Sequence, residues 1–155
     1  MKTLEEILSH HPFFKDLKSD YISFLAGCGI NKVFQPGELL GHEGEKADYF
    51  YIIREGKIAI QIFPPGGNAI TVQTIGKNDI VGWSWLFPPY QWHFDIKAIE
   101  TTQTIALDGQ CLRNKCEEDH DLGYILMKKF SQIMVRRLHA TRMQMLDIYK
   151  ETVDR

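Results

Sequence analysis

The chain has 155 residues, 44% of them hydrophobic and 25% charged, with a formal net charge of -2. That is enough apolar material for one real core, so disorder and a large two-domain enzyme are both excluded. The near-neutral charge excludes a chain-wide nucleic-acid footprint, and no window approaches the roughly 18 uncharged apolar residues of a membrane span.

Residues 3–29 read as helical. Thr3 and Glu6 form a capping box, and Leu4, Ile7 and Leu8 share one face of the helix that follows. The charged start gives no apolar signal-peptide stretch. Pro12 breaks this helix, Phe13, Phe14 and Leu17 offer apolar anchors, and Ser19 is the expected cap of a second short helix ending at Gly27 and Gly29. From residue 30 to 108 the pattern changes to short strands, expected at 30–35, 38–41, 49–54, 56–62, 70–76, 79–82, 94–100 and 103–107. Pro36-Gly37, Glu55-Gly56, Pro65-Gly66-Gly67-Asn68, Gly76-Lys77-Asn78-Asp79 and Pro88-Pro89 punctuate them. Many short strands at this spacing predict an antiparallel jelly roll.

Residues 109–150 return to helical period. Asp119 or Asp121 is placed to start a long helix, and Met127, Ser131, Met134, Leu138, Thr141, Met145 and Ile148 repeat at alternating spacings of four and three. Leu122, Ile125, Leu126, Phe130 and Ile133 widen the apolar face of its early turns. The helix is expected to pack first on the barrel and then on its own copy in a two-fold dimer. Residues 1–118 are thus read as helices plus roll, and 119–155 as the long packing helix.

The strongest pattern runs Phe34-Gln35-Pro36-Gly37-Glu38-Leu39, then Glu43-Gly44-Glu45-Lys46-Ala47-Asp48-Tyr49-Phe50-Tyr51-Ile52-Ile53, then Gly56-Lys57-Ile58. It resembles the cyclic-nucleotide-binding domain of the CRP/FNR-type regulators, from His11-Pro12-Phe13-Phe14 through Gly82 to the long closing helix. The resemblance implies a mainly β fold, a jelly-roll-type β-roll with N-terminal helices and a long C-terminal dimerisation helix. Many members carry a C-terminal helix-turn-helix; this sequence stops at Arg155, so no direct DNA binding is expected and the output is expected on another chain.

In the family a Gly-Glu-Leu-Ala segment and a later Arg hold the ligand. Backbone amides cradle the cyclic phosphate, the Glu accepts the ribose hydroxyl and the Arg neutralises the phosphate. Here the segment reads Gly82-Trp83-Ser84-Trp85-Leu86-Phe87. Trp83 stands in the place of the Glu, and Trp92, counted back from Ala98, in or beside the place of the Arg. An indole offers one donor and no acceptor, so it performs neither task. Strand alternation puts Trp92, Phe94 and Ile96 on one face, and His93, Asp95 and Lys97 on the other. The candidate ligand-binding residues are therefore Gly82, Trp83, Ser84, Trp85, Leu86, Trp92 and His93, with Tyr90 at the margin. A reshaped pocket would take a cyclic nucleotide or another small flat ligand by stacking; the alternative is a ligand-free dimerisation module whose pocket the tryptophans plug.

Other chemistries find no support. Gly82-Trp83-Ser84-Trp85-Leu86 lacks the small last residue of a nucleophile elbow, and Ser84 reads as a helix cap. A metal-dependent barrel enzyme needs paired histidines, and His42 beside Glu43 and Glu45 has no His-x-His companion. Cys111, Cys116 and His120 lack zinc spacing and read as buried residues of a helix. Cys28 alone cannot hold an iron–sulfur cluster, and nothing singles out Cys28, His42 or His93 for haem. Arg136, Arg137, His139 and Arg142 read as a solvated helix face. Three cysteines cannot all pair in one chain; they read as reduced, and the protein as cytoplasmic. The expected object is a non-catalytic, ligand-responsive, homodimeric regulatory domain without membrane contact.

Overall fold

A computed structural model describes residues 1–153. Two N-terminal helices, α1 (Leu4–His10) and α2 (Ser19–Gly27), precede eight strands: β1 (Gly29–Phe34), β2 (Leu39–Gly41), β3 (Tyr49–Glu55), β4 (Ile58–Ile62), β5 (Ile70–Ile75), β6 (Ile80–Val81), β7 (Asp95–Ala98) and β8 (Thr102–Asp108). A 3₁₀ turn (Ser84–Leu86) lies between β6 and β7, and helices α3 (Gly109–Glu118) and α4 (His120–Val153) follow β8. The strands form two antiparallel four-stranded sheets, ordered β1-β8-β3-β6 and β2-β7-β4-β5. This is the β-roll expected from the turn spacing. Among the described residues no helix is long and apolar enough to cross a membrane.

The sheets enclose one core, with Phe34, Tyr51, Ile53, Ile60, Trp92 and Ile96 meeting inside the roll. The outer face of the first sheet carries a second core, in which Phe50, Ile52, Ile105 and Leu107 pack on Leu8, Phe14, Leu112, Leu126 and Phe130 of the helices. β3 is covered on both faces, which is why its apolar residues run without polar alternation.

The Thr3–Glu6 capping box forms: Glu6 N–H donates to Thr3 Oγ1 at 3.2 Å and Thr3 N–H to Glu6 Oε2 at 3.1 Å. Ser19 is not a cap but the first helical residue of α2, behind Lys18. Asp108 caps α3, accepting from Cys111 N–H at 2.9 Å, and Asp119 receives Leu122 N–H at 3.2 Å where α4 begins. The early turns of α4 bury Leu122, Leu126, Phe130 and Ile133 against the roll. Beyond them Leu138, Met145 and Ile148 are exposed.

The cysteines depart from the reduced state expected. Cys28 and Cys111 are disulfide-bonded across a sequence separation of 83 residues, and Cys116 is free. The β1–β8 pairing explains this. Gly29 lies opposite Leu107, and Asp108 N–H donates to the Cys28 carbonyl at 2.9 Å, so the residue before β1 meets the first turn of the helix after β8.

Candidate functional site

β6 ends in Gly82, whose φ of +103° turns the chain toward the 3₁₀ segment. A β-carbon on Gly82 would come within 2.8 Å of the Trp92 ring, and one on Gly41 within 2.7 Å of it. Trp92 is therefore wedged between two bare backbones, one at the end of β2 and one after β6. Its own backbone is tied to the β2–β3 turn, its N–H donating to Glu45 O and its carbonyl accepting from Gly44 N–H, both at 2.9 Å. The side chain is 4% exposed and belongs to the core inside the roll.

The other two tryptophans point elsewhere. Trp85 is fully buried on the helical side, stacked on Phe50 at 5.3 Å and edge-on to Phe130 at 5.4 Å, and its indole N–H donates to the Gly82 carbonyl at 3.2 Å. Trp83 is partly buried beneath α4, with the Arg137 guanidinium 5.2 Å from its ring centroid. Leu86 also packs toward the helical core, and His93 is exposed. Ser84 is no helix cap: Trp83 occupies that position, and the buried Ser84 hydroxyl makes no hydrogen bond among the described residues. Of the seven candidate residues, the structure brings Gly82 and Trp92 into contact inside the roll and sends Trp83, Trp85 and Leu86 to the helices.

Beside Trp92 a cavity of about 310 Å³ opens between β2 and the start of β3, bounded by Leu40, Gly41, His42, Tyr49 and Tyr51. Tyr51 donates its hydroxyl to the Leu40 carbonyl at 3.1 Å, and burial raises its pKa. His42 Nδ1 lies 2.8 Å from Asp95 Oδ1, which also accepts from Glu43 N–H at 2.9 Å. Asp95 is thus buried under the β2–β3 turn, while His93, assigned to the same face by strand alternation, is exposed.

Two arginines outside the predicted set hold the segment after β6. Arg113 of α3 donates through Nη1 to the Trp85 carbonyl at 2.6 Å, and its guanidinium lies 4.1 Å from the Tyr90 ring centroid. Arg137 of α4 donates to the Ile80 carbonyl while covering Trp83. Burial pushes the Arg137 pKa down to about 10. In the sequence Arg113 carries no distinguishing signal, and Arg137 is one of four basic residues that read as a solvated face.

The family model described as cyclic nucleotide-binding domain matches residues 31–119. The cAMP-activated global transcriptional regulator CRP of Salmonella typhimurium is 30% identical over 122 residues, 76% of this chain and 54% of that protein. The chain spans between 54% and 63% of the length of such curated relatives. A cyclic nucleotide-binding protein of Geobacter metallireducens superposes with a TM-score of 0.77 at 26% identity, covering 90% of this chain and all of the other. The regulatory subunit of a cAMP-independent protein kinase A from Trypanosoma cruzi, bound to guanosine, superposes with a TM-score of 0.63 at 25% identity over 79% of this chain and 47% of that one. With its roll and its glycine turns matched by that family model over more than half of its length, the chain belongs to the cyclic nucleotide-binding domain family.

Proposed function

We propose that the chain is a non-catalytic regulatory domain in which Trp92 takes the seat of the cyclic phosphate. Its working output is the pairing of α4 with a second copy, read by a partner chain. The supporting observation is the wedging of the Trp92 ring between Gly41 and Gly82, with 4% of the residue exposed. A phosphate entering there would have to expel the indole, and no arginine is among the residues that line the cavity beside it. The exposed Leu138, Met145 and Ile148 support pairing beyond the roll. In this reading residues 1–118 form the body and 119–153 the coupling helix, residues 154–155 of the expected helix lying outside the described residues, and anything that shifts the helix pair must bind its two arrangements unequally.

A second reading rests on the 310 Å³ cavity beside Trp92. It is a ligand-responsive sensor for a small, flat, uncharged molecule, a reading supported by the Trypanosoma cruzi regulatory subunit bound to guanosine, a ligand without phosphate. Candidate contacts then include Trp92, Tyr51, Tyr49 and His42, which line the cavity.

Titration of cyclic AMP and cyclic GMP, followed by melting temperature and tryptophan fluorescence, tests the proposal. A ligand at a hundred times its Kd stabilises by about 2.7 kcal/mol, roughly 5–10 °C for a chain of this size. We expect no shift at millimolar nucleotide; a rise at micromolar nucleotide overturns the reading.

A further inference from the structure

β5 is an edge strand. It pairs with β4 on one side, and among the described residues no backbone hydrogen bond ties Ile70–Ile75 to any other segment. Edge strands are ordinarily guarded by lysine, proline or an inward charge, because their free amides and carbonyls recruit further strands. Ile70-Thr71-Val72-Gln73-Thr74-Ile75 contains no such guard and is rich in β-branched residues.

The end of this strand faces α4 across a groove. The groove has a volume of about 1040 Å³, with Gln73, Thr74 and Ile75 on one wall and Lys128, Gln132 and Arg136 on the other. Its charge is one-sided: Lys128, Lys129, Arg136 and Arg137 contribute to the lining against one acid, Asp79. Lys129 is occupied by Asp16 at 2.6 Å, Arg137 by the Ile80 carbonyl, and Asp79 by Gly76 N–H at 3.1 Å. Lys128 and Arg136 are exposed and have no ion-pair partner among the described residues.

We propose that this groove binds an extended acidic segment of a partner protein, which adds to the free edge of β5 as a further strand. The repeat lengths of helix and strand support it. Lys128, Gln132 and Arg136 stand on one flank of α4 at steps of about 6 Å, four residues at 1.5 Å each. Side chains on one face of an added strand recur every second residue, at steps of about 6.8 Å. Acidic residues at positions i and i+4 of the segment would meet Lys128 and Arg136, and a polar residue at i+2 would meet Gln132. The main chain supplies affinity and the charges select the sequence, as in other cases of strand addition. Met127, Met134 and Leu138 occupy a different stripe of α4 from Lys128, Gln132 and Arg136, and of that seam only Ser131 also borders the groove. Neither Trp92 nor α4 pairing enters this inference, which stands apart from the proposed function.

The test uses a fluorescein-labelled octapeptide alternating glutamate with valine, against the same peptide with lysine in place of glutamate. Fluorescence anisotropy on the whole chain is expected to show binding of the glutamate peptide alone. Lys128→Glu with Arg136→Glu should weaken it at least tenfold, and Gln132→Lys should strengthen it. All three positions are exposed, and melting temperatures confirm that the variants fold. Bound peptide should slow amide exchange at Thr71–Thr74. Equal binding of both peptides, or binding without protection of β5, overturns the proposal. So does tighter binding of a thymidine oligonucleotide in the same groove, which would make it a nucleic-acid site. Protection of β5 that grows with protein concentration alone also overturns it, because the occupant would then be a second copy.

Discussion

The ring of Trp92 occupies the space into which a side chain on Gly41 would project: a β-carbon there would lie 2.7 Å from Cε2 of the indole. The glycine in β2 and the tryptophan before β7 are one packing unit. Gly41→Ala should force the indole to move and lower stability by about 1–3 kcal/mol, the usual cost of overpacking. Trp92→Ala should cost more, about 3–5 kcal/mol, through the void it leaves. Urea unfolding of the two single variants and the double variant measures both. The double variant should be less destabilised than the sum, since alanine at position 41 no longer clashes once the ring is gone. Strict additivity would show that the two residues do not share the space.

Arg113 fixes the segment after β6 through one hydrogen bond and one stacked ring. Arg113→Ala should cost about 1.5–3 kcal/mol, the range for a hydrogen bond that involves a charged group. It should also speed amide exchange across residues 83–90. Arg113→Lys should recover little, because an ammonium neither forks nor stacks as a guanidinium does. Full recovery by lysine would contradict the stacked role.

His11 makes stability depend on pH. Phe13 N–H donates to its Nδ1 at 3.1 Å, so the ring proton sits on Nε2 and donates to the Asn78 carbonyl at 2.9 Å. The neutral ring is the one that fits, and burial lowers its pKa from 6.5, partly offset by the Asn78 carbonyl and by Asp79. With the folded value below the unfolded one, the unfolded chain takes up the proton first as pH falls. The His11 contribution is complete above about pH 6.5 and is lost as pH falls through the folded pKa. Asp16 and Asp119, whose pKa values are lowered from 3.8, act in a separate and more acidic window. Urea midpoints measured between pH 7.5 and 5 should fall for the natural chain and stay flatter for His11→Gln. An unchanged slope in the variant would assign the effect to another group.

Pairing of α4 predicts an association that depends on its far turns. Met145 and Ile148 are each 64% exposed in the single chain. Met145→Glu with Ile148→Glu should raise the dimer dissociation constant at least tenfold in sedimentation equilibrium, while leaving the melting temperature of the roll within a few degrees. A natural chain that sediments as a monomer at high micromolar concentration would contradict the pairing.

The strands, the Thr3–Glu6 cap and the start of α4 were legible in the sequence because each rests on local signals: period, turn glycines and a side chain within three residues of its partner. The roll followed from turn spacing and the family likeness. What could not be read depends on contacts far apart in the chain. Cys28 meets Cys111 only because β1 pairs with β8. Asp95 is buried only because the β2–β3 turn folds over it with His42. The three tryptophans looked like one aromatic wall, since an irregular segment has no period from which to assign side-chain direction. Trp85 went to the helical core and Trp83 to Arg137. Trp92, read as standing in or beside the place of the family's arginine, is the one whose ring packs inside the roll.

Calorimetric titration of cyclic AMP into the natural chain and into the Trp83→Glu/Trp92→Arg double variant bears most directly on whether an indole has replaced a phosphate seat. The natural chain should give no binding heat at micromolar nucleotide, and the double variant, with a cation in place of the indole inside the roll and a carboxylate beside Arg137 at position 83, should bind. Micromolar binding by the natural chain, unchanged in the variant, would mean that Trp92 does not occupy the seat.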